Sequence, residues 1–118
     1  MAPVSLFAYG TLMDPKKRLE LLGREVEAED AVLRGYGVVL PPPGFFGYED
    51  ECDRYPVAVP RGGGVVRGKL LRVTEEELKR LDEWEDTPRK VYARREVWVE
   101  TTSGRRLRAF AYVARNKV

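Results

Sequence analysis

Residues 65–85 read VVRGKLLRVTEEELKRLDEWE, and two periodicities meet inside them. Val65 to Val73 alternates well enough for a strand. From Leu78 onward the apolar residues recur at helical spacing. Thr74-Glu75-Glu76-Glu77 marks the boundary as a capping box. The Thr hydroxyl there accepts from the Glu77 N–H, and the Glu77 side chain reaches back. The helix runs to about Glu85, and Pro88 blocks its continuation. Upstream, Gly62-Gly63-Gly64 reads as a turn and Tyr55 to Val59 as a strand. Downstream, Val91 to Glu100 and Leu107 to Ala114 form a hairpin across Thr102-Ser103-Gly104-Arg105.

The first third completes the pattern. Val4 to Tyr9 is a buried strand meeting a turn at Gly10. Asp14 followed by Pro15 starts a helix, Leu19 and Leu22 sit at helical spacing, and Gly23 ends it. Val26 to Leu40 is a strand that bends or bulges at Gly35 and Gly37. Pro41-Pro42-Pro43-Gly44 stops it, and the acidic, aromatic segment Phe45 to Tyr55 is a long loop. The 118 residues hold no repeat and no dividing linker, so residues 1–118 form one domain. The element order predicts an α+β fold, a small mostly antiparallel β-barrel with two or three short flanking helices.

Composition narrows the chemistry. There is no histidine, which excludes a Ser-His-Asp triad, a Cys-His pair, a histidine base and a histidine-ligated metal. The single cysteine, Cys52, excludes an internal disulfide and a multi-cysteine metal site, and fits a reducing compartment. Proton chemistry is left to carboxylates, Lys, Tyr or the substrate. The absence of Gln and Ile, with one Asn beside many charged residues, is a thermophile-like composition. No stretch approaches the ~20 apolar residues that span a bilayer, and MAPVSLFAYG lacks a basic leader, so a cytoplasmic protein without membrane contact is expected. The net charge of +2 is uneven, −4 over residues 1–59 and +6 over residues 60–118. A solvated strand face accounts for the basic end more simply than a nucleic-acid footprint.

Glu85 breaks the apolar pattern of the second helix. On a wheel with Leu78 at 0°, Leu81 falls at about −60°, Asp82 at +40° and Glu85 at −20°. A carboxylate on the apolar stripe is costly to bury unless it is paired or used. One reading has Glu85 fray to solvent or pair with an arginine. The other has it line a cavity, its pKa raised by desolvation, as a proton shuttle. Tyr9-Gly10-Thr11-Leu12 is the second candidate, because a strand ending in a glycine turn aims backbone N–H groups into space, where they suit a carboxylate or phosphate. It is neither a Walker A loop nor a Rossmann fingerprint.

Together, Tyr9-Gly10-Thr11-Leu12 and Leu81-Asp82-Glu83-Trp84-Glu85 resemble the γ-glutamylcyclotransferase-like family, which includes γ-glutamylamine cyclotransferases and plant avirulence-induced-gene-like proteins. Tyr55-Pro56-Val57-Ala58-Val59-Pro60 and Val66-Arg67-Gly68-Lys69-Leu70 are similar to its mid-chain strands. Tyr92-Ala93-Arg94-Arg95-Glu96-Val97 and Ala109-Phe110-Ala111-Tyr112-Val113 are similar to its closing pair. The resemblance runs in order from Phe7 to Val113. It implies a small barrel with flanking helices and cleavage of a γ-glutamyl amide with no cofactor and no metal. The substrate's α-amine attacks its own γ-carbonyl, giving 5-oxoproline and a free amine, a lyase- or transferase-type reaction. By the same resemblance Glu85 is the catalytic acid/base, the backbone of Tyr9, Gly10, Thr11 and Leu12 holds the glutamyl head group, and Tyr92 joins the pocket. The family often has Gly after the catalytic Glu, where this chain has Asp86-Thr87-Pro88.

Other residues take plainer roles. Cys52 is incidental, and Trp84 and Trp98 are packing groups. Tyr55, Phe110 and Tyr112 belong to the core rather than to the pocket. The expected partner is a small γ-glutamyl molecule, with no nucleic acid, and the expected state is a monomer or weak dimer. The alternatives are a non-catalytic small-ligand barrel of the same fold and a nucleic-acid module using the basic hairpin.

Overall fold

A computed structural model of the protein describes residues 3–39, 57–86 and 92–114. Its elements are β1 (Val4–Ala8), a 3₁₀ turn (Thr11–Met13), α1 (Pro15–Leu22), β2 (Ala28–Val39), β3 (Val57–Val73), α2 (Glu75–Asp86), β4 (Tyr92–Thr101) and β5 (Arg106–Ala114). The strands close into a barrel in the order β1-β3-β2-β4-β5. Four of the pairings are antiparallel and the closing one, β1 with β5, is parallel.

Five strands enclose a narrow lumen, so the inward positions carry small residues. Ala31, Ala58, Ala109 and Ala111 fill it with Leu33, Val66, Leu70, Val97, Val99 and Val113. Phe7 is the large exception, and Gly68 makes room for it. A Cβ at Gly68 would lie 2.8 Å from Phe7 Cζ and 2.3 Å from the Ala8 carbonyl oxygen. A second apolar layer lies between the barrel wall and the helices, where Leu6, Ala8, Leu71, Val73 and Tyr112 meet Leu12, Leu22, Leu78 and Leu81.

Both helices begin as their residues dictate, and α1 also ends so. The Asp14 side chain accepts from Lys16 N at 3.0 Å, Pro15 opens α1, and Gly23 closes it at φ 73°. At α2 the capping box forms: Glu77 N donates to Thr74 Oγ1 at 3.1 Å and Thr74 N to Glu77 Oε1 at 2.8 Å.

Two expectations are corrected. Gly62-Gly63-Gly64 does not separate two strands. Both flanking runs pair with β2 and form the single strand β3, while Arg61–Gly64 bulge opposite Gly35, whose φ is 85°. Leu19 and Leu22 both lie in α1 as their spacing predicts, with Leu22 buried, Leu19 exposed at 47 % and Arg18 buried. Trp98 is no core group: it stands 49 % exposed on the outer face of β4, with Arg106 and Arg108 each 5.1 Å from its ring. The readings of Cys52, Tyr55 and the loop 41–54 lie outside the described residues, as does the side chain of Trp84. No helix among the described residues is long and apolar enough to cross a membrane.

Candidate functional site

The barrel register gathers the candidates at one end. Phe7 stands beside Ala111 and Tyr92 beside Ala114, so the end of β1, the end of β5 and the start of β4 share a rim. α2 reaches the same rim. The Tyr112 hydroxyl donates to Asp82 Oδ1 at 2.7 Å, and Asp82 Oδ2 faces Arg94 Nη1 at 3.3 Å. Arg94 in turn stacks on Phe110, 5.0 Å from the ring centroid. This chain of contacts ties the outer wall of β4 and β5 to the penultimate turn of α2. Glu85 lies in the last turn, on the backbone leaving Asp82 toward β4. Its side chain, like those of Thr11 and Tyr92, lies outside the described residues.

The turn after β1 is built from its own backbone and from two braces. Met13 N donates to the Gly10 carbonyl at 2.9 Å, closing the 3₁₀ turn. The Tyr9 hydroxyl donates to the Tyr112 carbonyl at 2.5 Å and accepts from Ala58 N at 2.9 Å. It thereby joins β1, β3 and β5 at the rim, and its ring stacks near Phe7 at 6.3 Å. Arg18 supplies the second brace, donating from Nη1 to the carbonyls of Leu12 (3.1 Å) and Met13 (3.0 Å). Leu12 points its side chain into the layer beneath the helices, so only its backbone faces outward chemistry. A Cβ built at Gly10 meets nothing within 4 Å among the described residues.

Of the predicted site residues, the backbones of Tyr9, Gly10, Thr11 and Leu12 form one continuous turn on this rim. Tyr92 begins β4 on the same rim, and Glu85 lies in the last turn of α2, which ends at Asp86. Sequence reasoning missed Arg18, Asp82 and Arg94. Arg94 carries no local signal, since its pairing spans the segment between α2 and β4, whereas the wheel already puts Asp82 on the Leu78 side of the helix. Arg18 has one: three cations in a row (Lys16, Lys17, Arg18) on an eight-residue helix must bring one toward the barrel.

The resolved electrostatics lie at the other end of α2. Glu77 accepts from Arg24 Nε (2.8 Å) and Nη2 (2.7 Å), a bidentate pair on a side chain only 5 % exposed. The Arg24 hydrogen bonds hold the Glu77 carboxyl below the usual carboxylate range, with burial opposing them. Among the described residues, no three His, Cys, Asp or Glu side chains converge as metal ligands.

With this geometry in place, similarity to other proteins identifies the fold's relatives. The family model "Gamma-glutamyl cyclotransferase, AIG2-like" matches residues 6–118. AIG2-like protein C of Arabidopsis thaliana is 36 % identical over 118 residues, which cover 98 % of this chain and 62 % of that protein. The chain thus spans under two-thirds of that relative's length. A second Arabidopsis thaliana protein, solved in solution, is 28 % identical with a TM-score of 0.82 over 100 % of this chain and 72 % of its own. A solved gamma-glutamyl cyclotransferase shares the fold at 20 % identity, with a TM-score of 0.80 over 97 % of this chain and 68 % of its own. The chain belongs to the gamma-glutamyl cyclotransferase, AIG2-like family.

Proposed function

We propose that the protein is a γ-glutamyl cyclotransferase acting on a small γ-glutamyl amide, with Glu85 as general acid and base. The observation that supports this reading is that the turn Tyr9–Leu12 and the start of β4 share a rim, to which Asp82 of α2 is moored through Tyr112 and Arg94, in a chain of this family. The turn's backbone N–H groups hold the substrate's α-carboxylate, and Tyr92 borders the same pocket. Binding fixes the α-nitrogen against the γ-carbonyl carbon, and such ring closures gain ~7–11 kcal/mol from orientation alone.

The proton balance then defines the work of Glu85. Its carboxylate takes a proton from the α-ammonium, freeing the lone pair that forms the new C–N bond. The tetrahedral intermediate collapses as the amide C–N bond breaks, and Glu85 returns the proton to the departing nitrogen. The second proton of the α-nitrogen passes to water, and the amine takes one up as it leaves. The products are 5-oxoproline and a free amine. The reaction draws on no histidine, consistent with a chain that has none.

The ligand in this proposal is a small molecule rather than nucleic acid, and the setting is a reducing cytoplasm. Three arginines of the basic hairpin already face carboxylates: Arg94 to Asp82, Arg105 to Glu29 and Arg108 to Glu96. The test is a panel of γ-glutamyl amines and dipeptides with 5-oxoproline as the readout. Wild type is expected to turn over at least one member. Glu85→Gln is expected to lose about 10²–10⁴-fold in kcat with an unchanged Tm. Equal activity in that variant removes Glu85 from the chemistry, and no turnover across the panel overturns the proposal.

A further inference from the structure

Arg18 is the one buried cation among the described residues, at 8 % exposure. A guanidinium leaves water only at a high desolvation cost, so its burial needs a reason in what it touches. It touches two carbonyls. Nη1 donates to Leu12 O at 3.1 Å and to Met13 O at 3.0 Å, and neither acceptor carries a charge. Among the described residues Arg18 has no carboxylate within ion-pair range. Its charge lies directly beneath the turn that follows β1, and no described carboxylate neutralises it.

The contact also aims that turn. A trans peptide is planar, with its C=O and N–H pointing opposite ways. Arg18 draws the Leu12 carbonyl inward, which turns the Met13 N–H of the same plane toward the Gly10 carbonyl, 2.9 Å away. The Gly10 carbonyl shares its plane with the Thr11 N–H, which must then point away from the turn, on the side of Gly10, whose Cβ position meets none of the described residues within 4 Å. Two rigid planes thus connect the buried guanidinium to an outward backbone donor. We infer that Arg18 is a positioning residue, which fixes the Thr11 N–H toward an anionic group of the ligand and whose charge strengthens the turn's preference for an anion. This inference rests on the function proposed above.

The experiment compares three variants. Arg18→Met removes both the clamp and the charge. Arg18→Lys keeps the charge and a donor able to reach the same carbonyls. Leu22→Ala loosens α1 by opening a cavity beneath it, away from the turn. With a γ-glutamyl amide that wild type turns over, and well below each Tm, Arg18→Met is expected to lose roughly 10–100-fold in kcat/KM, chiefly through KM. Arg18→Lys recovers most of that loss, while Leu22→Ala keeps the wild-type value despite its lower Tm. Equal losses in Arg18→Met and Leu22→Ala, or no loss in Arg18→Met, overturn the inference. If wild type makes no 5-oxoproline, the proposed function falls, and the clamp is judged by amide hydrogen exchange instead. Met13 N–H is then expected to exchange about tenfold faster in Arg18→Met than in Leu22→Ala, and equal protection overturns the clamp.

Discussion

Replacing Glu77 with Gln removes one charge from the start of α2 while keeping the side chain's shape. In the native chain its two carboxylate oxygens accept from Thr74 N and from two nitrogens of Arg24. A Gln offers one oxygen and an NH₂, and the NH₂ must face a donor of Arg24 or of Thr74. One charge-assisted hydrogen bond is lost, worth about 1.5–3 kcal/mol in a buried setting. Arg24 is half exposed, and water takes up its freed donor, so the loss falls toward the value of a surface pair, ~0.2–1 kcal/mol. The acid's favourable place in the first helical turn adds ~0.3–1 kcal/mol. The expected loss is about 0.5–2 kcal/mol at neutral pH, or roughly 2–10 °C in Tm for a domain of this size.

The pH dependence separates this account from simple loosening. The folded Glu77 carboxyl titrates below its unfolded value of about 4.3. Its contribution is therefore fully present above that unfolded value and is lost as pH falls through the folded pKa. Thermal melts by circular dichroism from pH 7 to pH 3 should show wild type falling toward Glu77→Gln, the gap closing below about pH 4. Arg24→Met should narrow the wild-type pH dependence in the same acid window. A gap that stays constant with pH, or a Gln variant as stable as wild type at pH 7, refutes the reasoning.

Two further substitutions probe the barrel. Gly68→Ala puts a methyl 2.3 Å from the Ala8 carbonyl, a backbone atom that moves only if β1 leaves β3, so the loss should exceed the ~1–3 kcal/mol of ordinary overpacking. A denaturant melt with an unchanged midpoint would contradict it. Tyr9→Phe leaves the buried Ala58 N–H without its acceptor and should cost about 1–3 kcal/mol in a denaturant melt, with faster exchange at that amide. Unchanged protection at Ala58 would show that the brace is dispensable.

What was legible in the sequence was local. Asp14, Pro15 and Gly23 delimit α1, and Thr74 with Glu77 starts α2, because caps act within a turn of the chain. The strands and the closed barrel followed from alternation and order. The reading failed where partners come from afar. Three consecutive glycines signal a turn, yet β2 supplied Gly35 to face them, and the strand continued as a bulge. On the eight-residue α1, Arg18 is buried while Leu19 is exposed, because two backbone carbonyls at the 3₁₀ turn meet the cation's needs. Trp98 faces outward because its register follows Val97 and Val99 into the alternation, and two arginines shelter its ring. At the candidate site, the turn Tyr9–Leu12 was visible as a pattern, whereas the Tyr112–Asp82–Arg94 contacts that moor α2 beside it join three separate elements.

The parallel seam between β1 and β5 also bears on how the chain folds. Leu6 finds Phe110, and the Tyr9 hydroxyl finds Tyr112, across more than one hundred residues of sequence. Each contact at that seam requires closing a loop nearly as long as the chain, an entropic demand that the β2–β3 and β4–β5 pairings do not face. The hairpins are therefore expected to form early and the ring to shut late. Until it shuts, β1 lacks one neighbour and the rim that carries the Tyr9–Leu12 turn has no fixed shape, so assembly of the candidate site coincides with the last step of folding.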